Sequence, residues 1–160
     1  MSRIRGLLGA GSVAAVIAVA TPFIASWEGK RNHAYTDLVG VWTVCYGHTG
    51  DYAYKGAHYS DSQCKEILEQ DVGVHWAGLS KCLTRTDIPV SVQASFLELG
   101  FNVGVGAACK STMAKRINEG NWEEACKELG RWTRAGGRVV NGLVNRRNAS
   151  HEMCVKDVRG

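Results

Sequence analysis

Three polar residues near the start of the chain have the types and the spacing that acid–base catalysis needs. Glu28 is followed by Asp37 nine residues later and by Thr43 six residues after that. Glycoside hydrolysis uses one protonated carboxyl group at the leaving oxygen and one ionised carboxylate at the anomeric centre. For Glu28 to be the acid near neutral pH its pKa must be raised, and Trp27 and Val44 are candidates for excluding water around it. The spacing alone leaves open that Glu28 is an ordinary exposed carboxylate after an apolar helix.

A small antiparallel sheet is predicted to position Asp37 and Thr43. Residues 35–59 are rich in Gly, Tyr, Val and Thr and contain few strong helix formers. The run V-W-T-V-C-Y at 41–46 favours a strand, and the glycines on either side of it favour turns. Both candidate residues therefore fall at the edges of predicted elements.

Helices are predicted to follow the sheet. Ser60 and Gln63 have the spacing of a capping box, which predicts a helix over 61–77. Pro89 precedes a second helix, which starts at Val90 and has its apolar residues on one stripe. We expect this second helix to be central.

The last third of the chain is predicted to be helical as well. Asn121 and Glu124 repeat the capping pattern, and the pair Gly136-Gly137 is expected to end the helix that follows them. Val139 is expected to face inward at the start of the last helix. The predicted helical segments are 111–118, 121–134 and 139–156. Few strands near the N-terminus and helices to the end define an α+β domain that is mainly α.

Residues 1–26 have the character of a segment that directs export. Arg3 and Arg5 precede an uncharged run over 6–26, which as a helix would cover about 30 Å, the hydrocarbon thickness of a bilayer. The arginines would stay on the cytoplasmic side, and the rest of the chain would be exported. The run is only weakly apolar, because Gly, Ala, Ser and Thr dilute it. A cleaved signal peptide with an A-V-A site at 18–20, a permanent anchor, and a weak anchor that can leave the membrane all remain open.

The cysteine content agrees with export, because disulfides persist in the periplasm and outside the cell. Six cysteines allow 15 pairings, and sequence cannot choose among them. We predict the pairing that closes short loops without crossing. It joins Cys45 to Cys64, Cys82 to Cys109 and Cys126 to Cys154.

Composition and charge narrow the class of protein. With 160 residues, 45% of them hydrophobic, the chain has room for one globular domain with a buried core. The net charge of +4 comes from residues 110–160, where eleven Lys and Arg face six Asp and Glu, and it suits a polyanionic partner such as cell wall or membrane. Basic residues are scattered and no helix-turn-helix pattern occurs, so nucleic-acid binding is not expected. Metal-ligand spacings and cofactor motifs are absent from the sequence, so we expect no metal and no cofactor.

The residues around the three candidates resemble a known family. The stretch W-E-G-K-R-N-H-A-Y-T-D-L-V-G-V-W-T-V-C-Y-G-H-T-G at 27–50 is similar to the catalytic stretch of the phage-type lysozymes, glycoside hydrolase family 24. The run F-N-V-G-x-G at 101–106 and the motifs R-W-T-x-A-G-G and G-L-x-x-R-R within 131–147 are similar too. Within the family, the chain resembles lambdoid endolysins with a signal-anchor-release segment. This implies such a segment over 1–26 and a lysozyme-like catalytic domain, with a small N-terminal sheet and a helical C-terminal lobe, over 27–160.

The resemblance also implies the chemistry. The implied activity is that of a muramidase, which hydrolyses the β-1,4 bond between N-acetylmuramic acid and N-acetylglucosamine in peptidoglycan and so lyses the host cell. Glu28 would be the general acid, Asp37 the second carboxylate, and Thr43 the hydroxyl that helps to hold the attacking water. The resemblance favours inversion, which requires carboxyl groups about 6.5 to 9.5 Å apart. A lytic transglycosylase, or a non-catalytic cell-wall-binding module on the same scaffold, remains an alternative.

Four other positions match family residues near the cleft. Phe101 and Thr112 match positions that touch substrate, although each could equally be a core or cap residue. His48 and Asp71 match a pair that we expect to be structural, tying the sheet to the next helix. The five tryptophans are expected to pack in the core rather than stack on sugars.

Two adjacent arginines, Arg146 and Arg147, lie where the family has an arginine that pairs with the acid. The resemblance does not select between them. We expect these residues to form a solvated basic face.

The position of Glu28 just after the run 6–26 indicates regulation by the membrane. While that run crosses the bilayer, the sheet and helices could not close around Glu28, so the tethered protein would be inactive. Small residues recur every four positions, and we expect this ridge to pack on the protein after release. The ridge consists of Gly6, Ala10, Ala14 and Ala18. The resemblance thus implies an exported monomer, held on the inner membrane facing the periplasm and then released as soluble enzyme, with peptidoglycan and the inner membrane as partners.

Overall fold

A long helix, α1 (Ser2–Trp27), opens the chain. The computed structural model describes the backbone of residues 2–159 and the side chains of residues 13–159. Predictions that rest on Met1 or on the side chains of residues 3–10 lie outside the described residues. Within the described part of the chain, no helix has both the length and the apolar character needed to cross a membrane.

A two-stranded antiparallel sheet follows α1, as the sequence predicts. Strand β1 (Arg31–Thr36) pairs with β2 (Trp42–Cys45). The turn between them begins at Asp37, whose N–H donates to the carbonyl of Val41 over 2.9 Å. The sheet therefore holds the two ends of this turn together.

Two helices form the centre of the fold. Helix α2 (Asp61–Leu79) starts with the predicted capping box, in which the side chains of Ser60 and Gln63 each accept from the other's backbone N–H. Helix α3 (Val90–Val103) is buried on nearly all sides, because its small and apolar residues extend beyond the predicted stripe. The two helices approach closely at Gly100, where a Cβ atom would lie 2.5 Å from a methyl carbon of the last residue of α2.

Helix α1 packs on α2 and α3 through one of its sides. Val16, Ala20 and Ile24, spaced by four residues, are completely buried in the main core. Ala14 and Ala18 are exposed on another side of the helix. The predicted packing of the small-residue ridge is therefore wrong at these two positions. The helix buries instead the side that carries Val16 and Ile24, whose larger apolar side chains gain more free energy on burial.

The last third of the chain is helical but more broken than predicted. Its helices are α4 (Val105–Cys109), α5 (Thr112–Asn118), α6 (Trp122–Lys127) and α7 (Asn141–Val155). A 3₁₀ helix, Glu128–Arg131, follows α6, so the predicted helix does not reach residue 134. The second predicted capping box is wrong, because Asn121 makes no side-chain cap bond and Glu124 pairs instead with Lys127 over 2.9 Å.

A second hairpin occupies the predicted start of the last helix. Strand β3 (Arg134–Ala135) pairs with β4 (Arg138–Val139), and Gly136 and Gly137 form the turn with positive φ angles of 59° and 78°. Glycine adopts such angles without steric cost. Val139 is exposed, so its predicted inward orientation is wrong.

Three disulfides join elements of the fold, and the predicted pairing is confirmed. The bridges are Cys45–Cys64 between β2 and α2, Cys82–Cys109 between the 3₁₀ helix Ser80–Cys82 that follows α2 and helix α4, and Cys126–Cys154 between α6 and α7. Together the elements form the predicted α+β fold, mainly α, with a small N-terminal sheet and a helical C-terminal lobe.

Candidate active site

Glu28 lies directly after α1 and is partly exposed. Its backbone N–H donates to the carbonyl of Ile24 over 3.0 Å, which extends the hydrogen bonding of α1 by one residue. Its side chain retains 26% of its exposure, and Nη1 of Arg146 donates to its Oε1 over 3.1 Å. The carboxyl group thus accepts a hydrogen bond from a buried arginine on one side and is open to solvent on the other.

Asp37 and Thr43 are both hydrogen-bonded to Val41, in the turn between β1 and β2. Oδ1 of Asp37 accepts bonds of 2.9 Å from the N–H groups of Val39 and Val41. The hydroxyl of Thr43, opposite Tyr35 in the sheet, donates to the carbonyl of Val41 over 3.1 Å. Asp37 is half-buried and Thr43 is buried. One turn therefore orients both side chains and brings them together.

Arg146 is the arginine that pairs with Glu28. It is buried on α7, and its Nε also donates to a carboxylate oxygen of Glu98 on α3. The neighbouring Arg147 is buried too, and one of its terminal nitrogens donates to the side-chain oxygen of Asn102. The predicted solvated basic face is therefore wrong, because both guanidinium groups have polar partners in the interior.

Glu98 is the centre of a buried charge cluster. Its side chain is completely buried, and loss of hydration raises the pKa of its carboxyl group, while the charges of Arg146 and Arg147 act in the opposite direction. Nη1 of Arg147 lies 3.5 Å from Oε2 of Glu98, and burial lowers the pKa of Arg147. With Glu28, the cluster contains two carboxyl and two guanidinium groups, so it is neutral when all four are ionised.

The sequence carries a signal for Glu98 that motif comparison does not detect. Glu98 is the only charged residue in α3. A charge on a helix that is buried on nearly all sides requires a partner of opposite charge. The adjacent arginines Arg146 and Arg147 are the partners, and the nearer of them in sequence is 48 residues away.

His48 and Asp71 form the predicted contact between the sheet region and α2. Nδ1 of His48 lies 2.8 Å from Oδ2 of Asp71, and the ring of His48 lies 5.5 Å from that of Tyr52. Only 12% of the His48 side chain is exposed. The pair thus links the turn after β2 to α2, and its structural role stays a prediction.

The contacts of Phe101 and Thr112 involve other parts of the fold than those of Glu28, Asp37 and Thr43. Phe101 is half-buried near the end of α3, and its ring lies 4.7 Å from that of His75. Thr112 is exposed as the first residue of α5. In the part of the chain that the structure describes, no hydrogen bond joins Thr112 to Glu28 or Asp37.

The fold and the site together define a class of protein. A short sheet whose turn orients a carboxylate, a long first helix followed directly by a glutamate, and a helical lobe that supplies a buried arginine are the parts of a lysozyme-type glycoside hydrolase. Residues 25–150 match the phage lysozyme family, and the chain belongs to that family. It is a muramidase endolysin.

Individual relatives agree with this assignment. The chain is 36% identical to the SAR-endolysin of Enterobacteria phage P21 over 147 residues, which cover 92% of this chain and 88% of that one. The SAR-endolysin of Bacteriophage PS119 is 36% identical over 155 residues, which cover 97% and 91%. Among solved structures, the muramidase domain of SpmX from Asticaccaulis excentricus has a TM-score of 0.78 at 25% identity, covering 86% of this chain and 95% of that one. The active form of P1 phage endolysin Lyz shares the fold, with a TM-score of 0.75 at 20% identity over 94% of each chain.

Proposed function

We propose that Glu28, Asp37 and Thr43 hydrolyse the β-1,4 bond between N-acetylmuramic acid and N-acetylglucosamine in peptidoglycan, with inversion at the anomeric carbon. The observation that carries this proposal is the contact of the partly exposed Glu28 with the buried Arg146. This contact gives the site one carboxyl group whose position is fixed by a buried side chain and which a polymer can still reach. Membership of the phage lysozyme family supports peptidoglycan as the substrate.

In the proposed reaction Glu28 starts protonated. It gives its proton to the glycosidic oxygen as the bond to the anomeric carbon of the muramic acid breaks, so that the N-acetylglucosamine side leaves as an alcohol. A water molecule held by Asp37 and Thr43 attacks that carbon from the opposite face, and its proton passes to Asp37. The N–H groups of Val39 and Val41 orient Asp37 for this step.

The other site residues have supporting roles in the proposal. Phe101 and Thr112 contact sugar units of the glycan strand. His48 and Asp71 hold the sheet region against α2, so that the turn carrying Asp37 keeps its position relative to the helical lobe.

Product analysis tests the assignment. Wild-type protein acting on purified peptidoglycan should release fragments with a free reducing muramic end, which mass spectrometry detects, and Glu28→Gln should release none. Glu66→Gln, a change at an exposed residue of α2, is the matched control and should retain activity. Proton NMR in the first minutes should show the α-anomer of the new reducing end, and the β-anomer would contradict inversion.

The same products distinguish hydrolysis from transglycosylation. A lytic transglycosylase leaves anhydromuramic ends and does not need Asp37 to hold water. We therefore expect Asp37→Asn to lose most activity while no anhydromuramic product appears. Anhydromuramic ends together with an active Asp37→Asn variant would refute hydrolysis.

We also propose that α1 first tethers the exported protein to the inner membrane and later docks on the domain as a released, periplasmic monomer. The relatives called SAR-endolysins support this sequence of events. The buried side of α1 supports it too, since without Val16, Ala20 and Ile24 the main core would be incomplete next to Glu28. Cell fractionation before and after lysis tests the tether, and light scattering tests the monomer.

A further inference from the structure

A single guanidinium group lies between two carboxyl groups that come from different parts of the chain. Arg146 donates from Nη1 to Glu28, at the end of α1, and from Nε to Glu98, on α3. The Arg146 side chain retains 6% of its exposure and that of Glu98 none. The proposed reaction uses Glu28 but leaves Glu98 without a role.

We propose that Glu98 is a positioning residue for Glu28, acting through Arg146, and that the two carboxyl groups are coupled through their charges. This inference rests on the proposed role of Glu28 as the acid. It adds a residue that no motif around the acid contains.

The positioning part of the proposal follows from the shape of the guanidinium group. Arginine presents its donors in a rigid planar fork, so fixing one nitrogen fixes the direction of the others. Glu98 takes the Nε–H of Arg146, and this orients the plane of the group so that Nη1 points at Glu28. Without Glu98, Arg146 could rotate and leave Glu28.

The charge part follows from the number of partners. Glu28 and Glu98 share the positive charge of Arg146, which donates a hydrogen bond to each of them. Glu28 and Glu98 also act directly on each other, because the charge of Glu28 adds to the burial that raises the pKa of Glu98. Their protonation is therefore coupled.

Few charged groups take part in this coupling. Helix α7 contributes Arg146 and Arg147, α3 contributes Glu98, and the end of α1 contributes Glu28. Arg147 also lies near Glu98, but one of its terminal nitrogens donates a hydrogen bond to the side chain of Asn102. Arg146 is thus the group that connects the two carboxyls.

Two substitutions at Glu98 separate positioning from charge. Glu98→Gln keeps an oxygen that can accept from Nε of Arg146 and removes the negative charge. Because the acceptor is kept, we expect its kcat on peptidoglycan to stay within about twofold of wild type. Glu98→Leu also removes the acceptor, and we expect its kcat to fall about tenfold or more at every pH, with a smaller change in KM.

Each result decides part of the proposal. A Glu98→Gln variant whose kcat falls as far as that of Glu98→Leu overturns the positioning role, because the amide keeps the acceptor for Arg146. A Glu98→Leu variant with normal kcat overturns the positioning role. Glu123→Gln is the matched control, because Glu123 pairs with Arg159 over 3.1 Å at an exposed site, and this change should leave kcat and KM unchanged.

A second measurement needs no change at Glu98. In protein labelled with ¹³C at the glutamate carboxyls, NMR follows the titration of Glu98 in wild type and in Glu28→Gln. Removing the charge of Glu28 should lower the pKa of Glu98, and equal midpoints would show that the two groups are not coupled. If wild-type protein released no fragments from peptidoglycan, the proposed function would fail, whereas this titration would still test the coupling.

Discussion

Arg146 connects the proposed acid to the interior of the protein through two carboxyl partners. It reaches Glu28 and Glu98 with different nitrogen atoms, so a change in either partner alters the environment of the other. Because Glu98 and Arg146 are both buried, water cannot replace a partner that is removed. These residues are therefore best tested in pairs.

The pair Glu98 and Arg146 should behave differently in single and double variants. We expect Arg146→Met alone to lower the free energy of unfolding by about 3–5 kcal/mol, because it leaves a buried carboxylate without this partner. Glu98→Leu with Arg146→Met should recover much of that loss, since both charges leave the interior. Urea denaturation of the wild type, both single variants and the double variant measures this coupling. A double variant whose loss equals the sum of the single losses would contradict it.

The buried carboxyl group of Glu98 should also make stability depend on pH. Burial raises its pKa above the ordinary value of 4.5, so the folded protein binds this proton more tightly than the unfolded chain does. The resulting stabilisation is complete below the unfolded pKa and is lost as pH rises through the folded pKa. We expect the stability of wild type relative to Glu98→Gln to fall as pH rises above about 4.5. Denaturation curves of both proteins from pH 4 to 8 check the sign, and a rising difference would refute it.

Local sequence patterns predict the elements well where the interacting groups are neighbours in the chain. Ser60 and Gln63 form the capping box that their spacing predicts, and they start α2. Asn121 and Glu124 have the same spacing but form no box, because a basic residue one helical turn later pairs with Glu124. The pair Gly136-Gly137 ends helical structure as predicted, but it does so as the turn of a hairpin.

The candidate site shows the same difference between local and distant partners. Glu28, Asp37 and Thr43 lie within 16 residues, so one short stretch is enough to suggest them as a site. Glu98 and Arg146 are 48 residues apart, and only the packing of α7 on α3 brings them together. A pattern within one segment cannot show that a basic residue has a buried partner in another.

The exposed side of α1 can be altered without disturbing its buried side. Ala14→Leu/Ala18→Leu adds apolar surface where the helix faces solvent, so the folded domain should tolerate it. If α1 is the tether, this variant should stay in the membrane fraction and delay lysis, because the segment becomes more apolar. Cell fractionation and culture turbidity after induction measure both effects.

A matched change on the same side of α1 serves as the control. Ala14→Ser/Ala18→Ser makes the helix less apolar and should be released at least as readily as wild type. A leucine variant that remains in the membrane and still lyses cells at the normal rate would contradict the tether model.

The three disulfides cross-link the protein between residue 45 and residue 154. Cys126→Ser/Cys154→Ser opens a loop of 28 residues and should lower the free energy of unfolding by about 3 kcal/mol. Its activity at 25 °C should be nearly normal, because both cysteines are buried in the main core between α6 and α7. Cys45→Ser/Cys64→Ser should lose activity as well, since Cys45 ends the strand that carries Thr43. Denaturation and turbidity assays compare the two variants, and equal activities would contradict this distinction.

Helix α1 takes part in none of these three disulfides. Residues 2–27 contain no cysteine, and α1 is held against the domain by buried side chains such as Val16, Ala20 and Ile24. If α1 is the membrane tether proposed above, the disulfides of the exported chain can form before α1 docks on the domain. Every covalent bond would then be complete while Glu28 still lacks its final position. The delay before lysis would end by a folding step, without cleavage of the chain and without rearrangement of its disulfides.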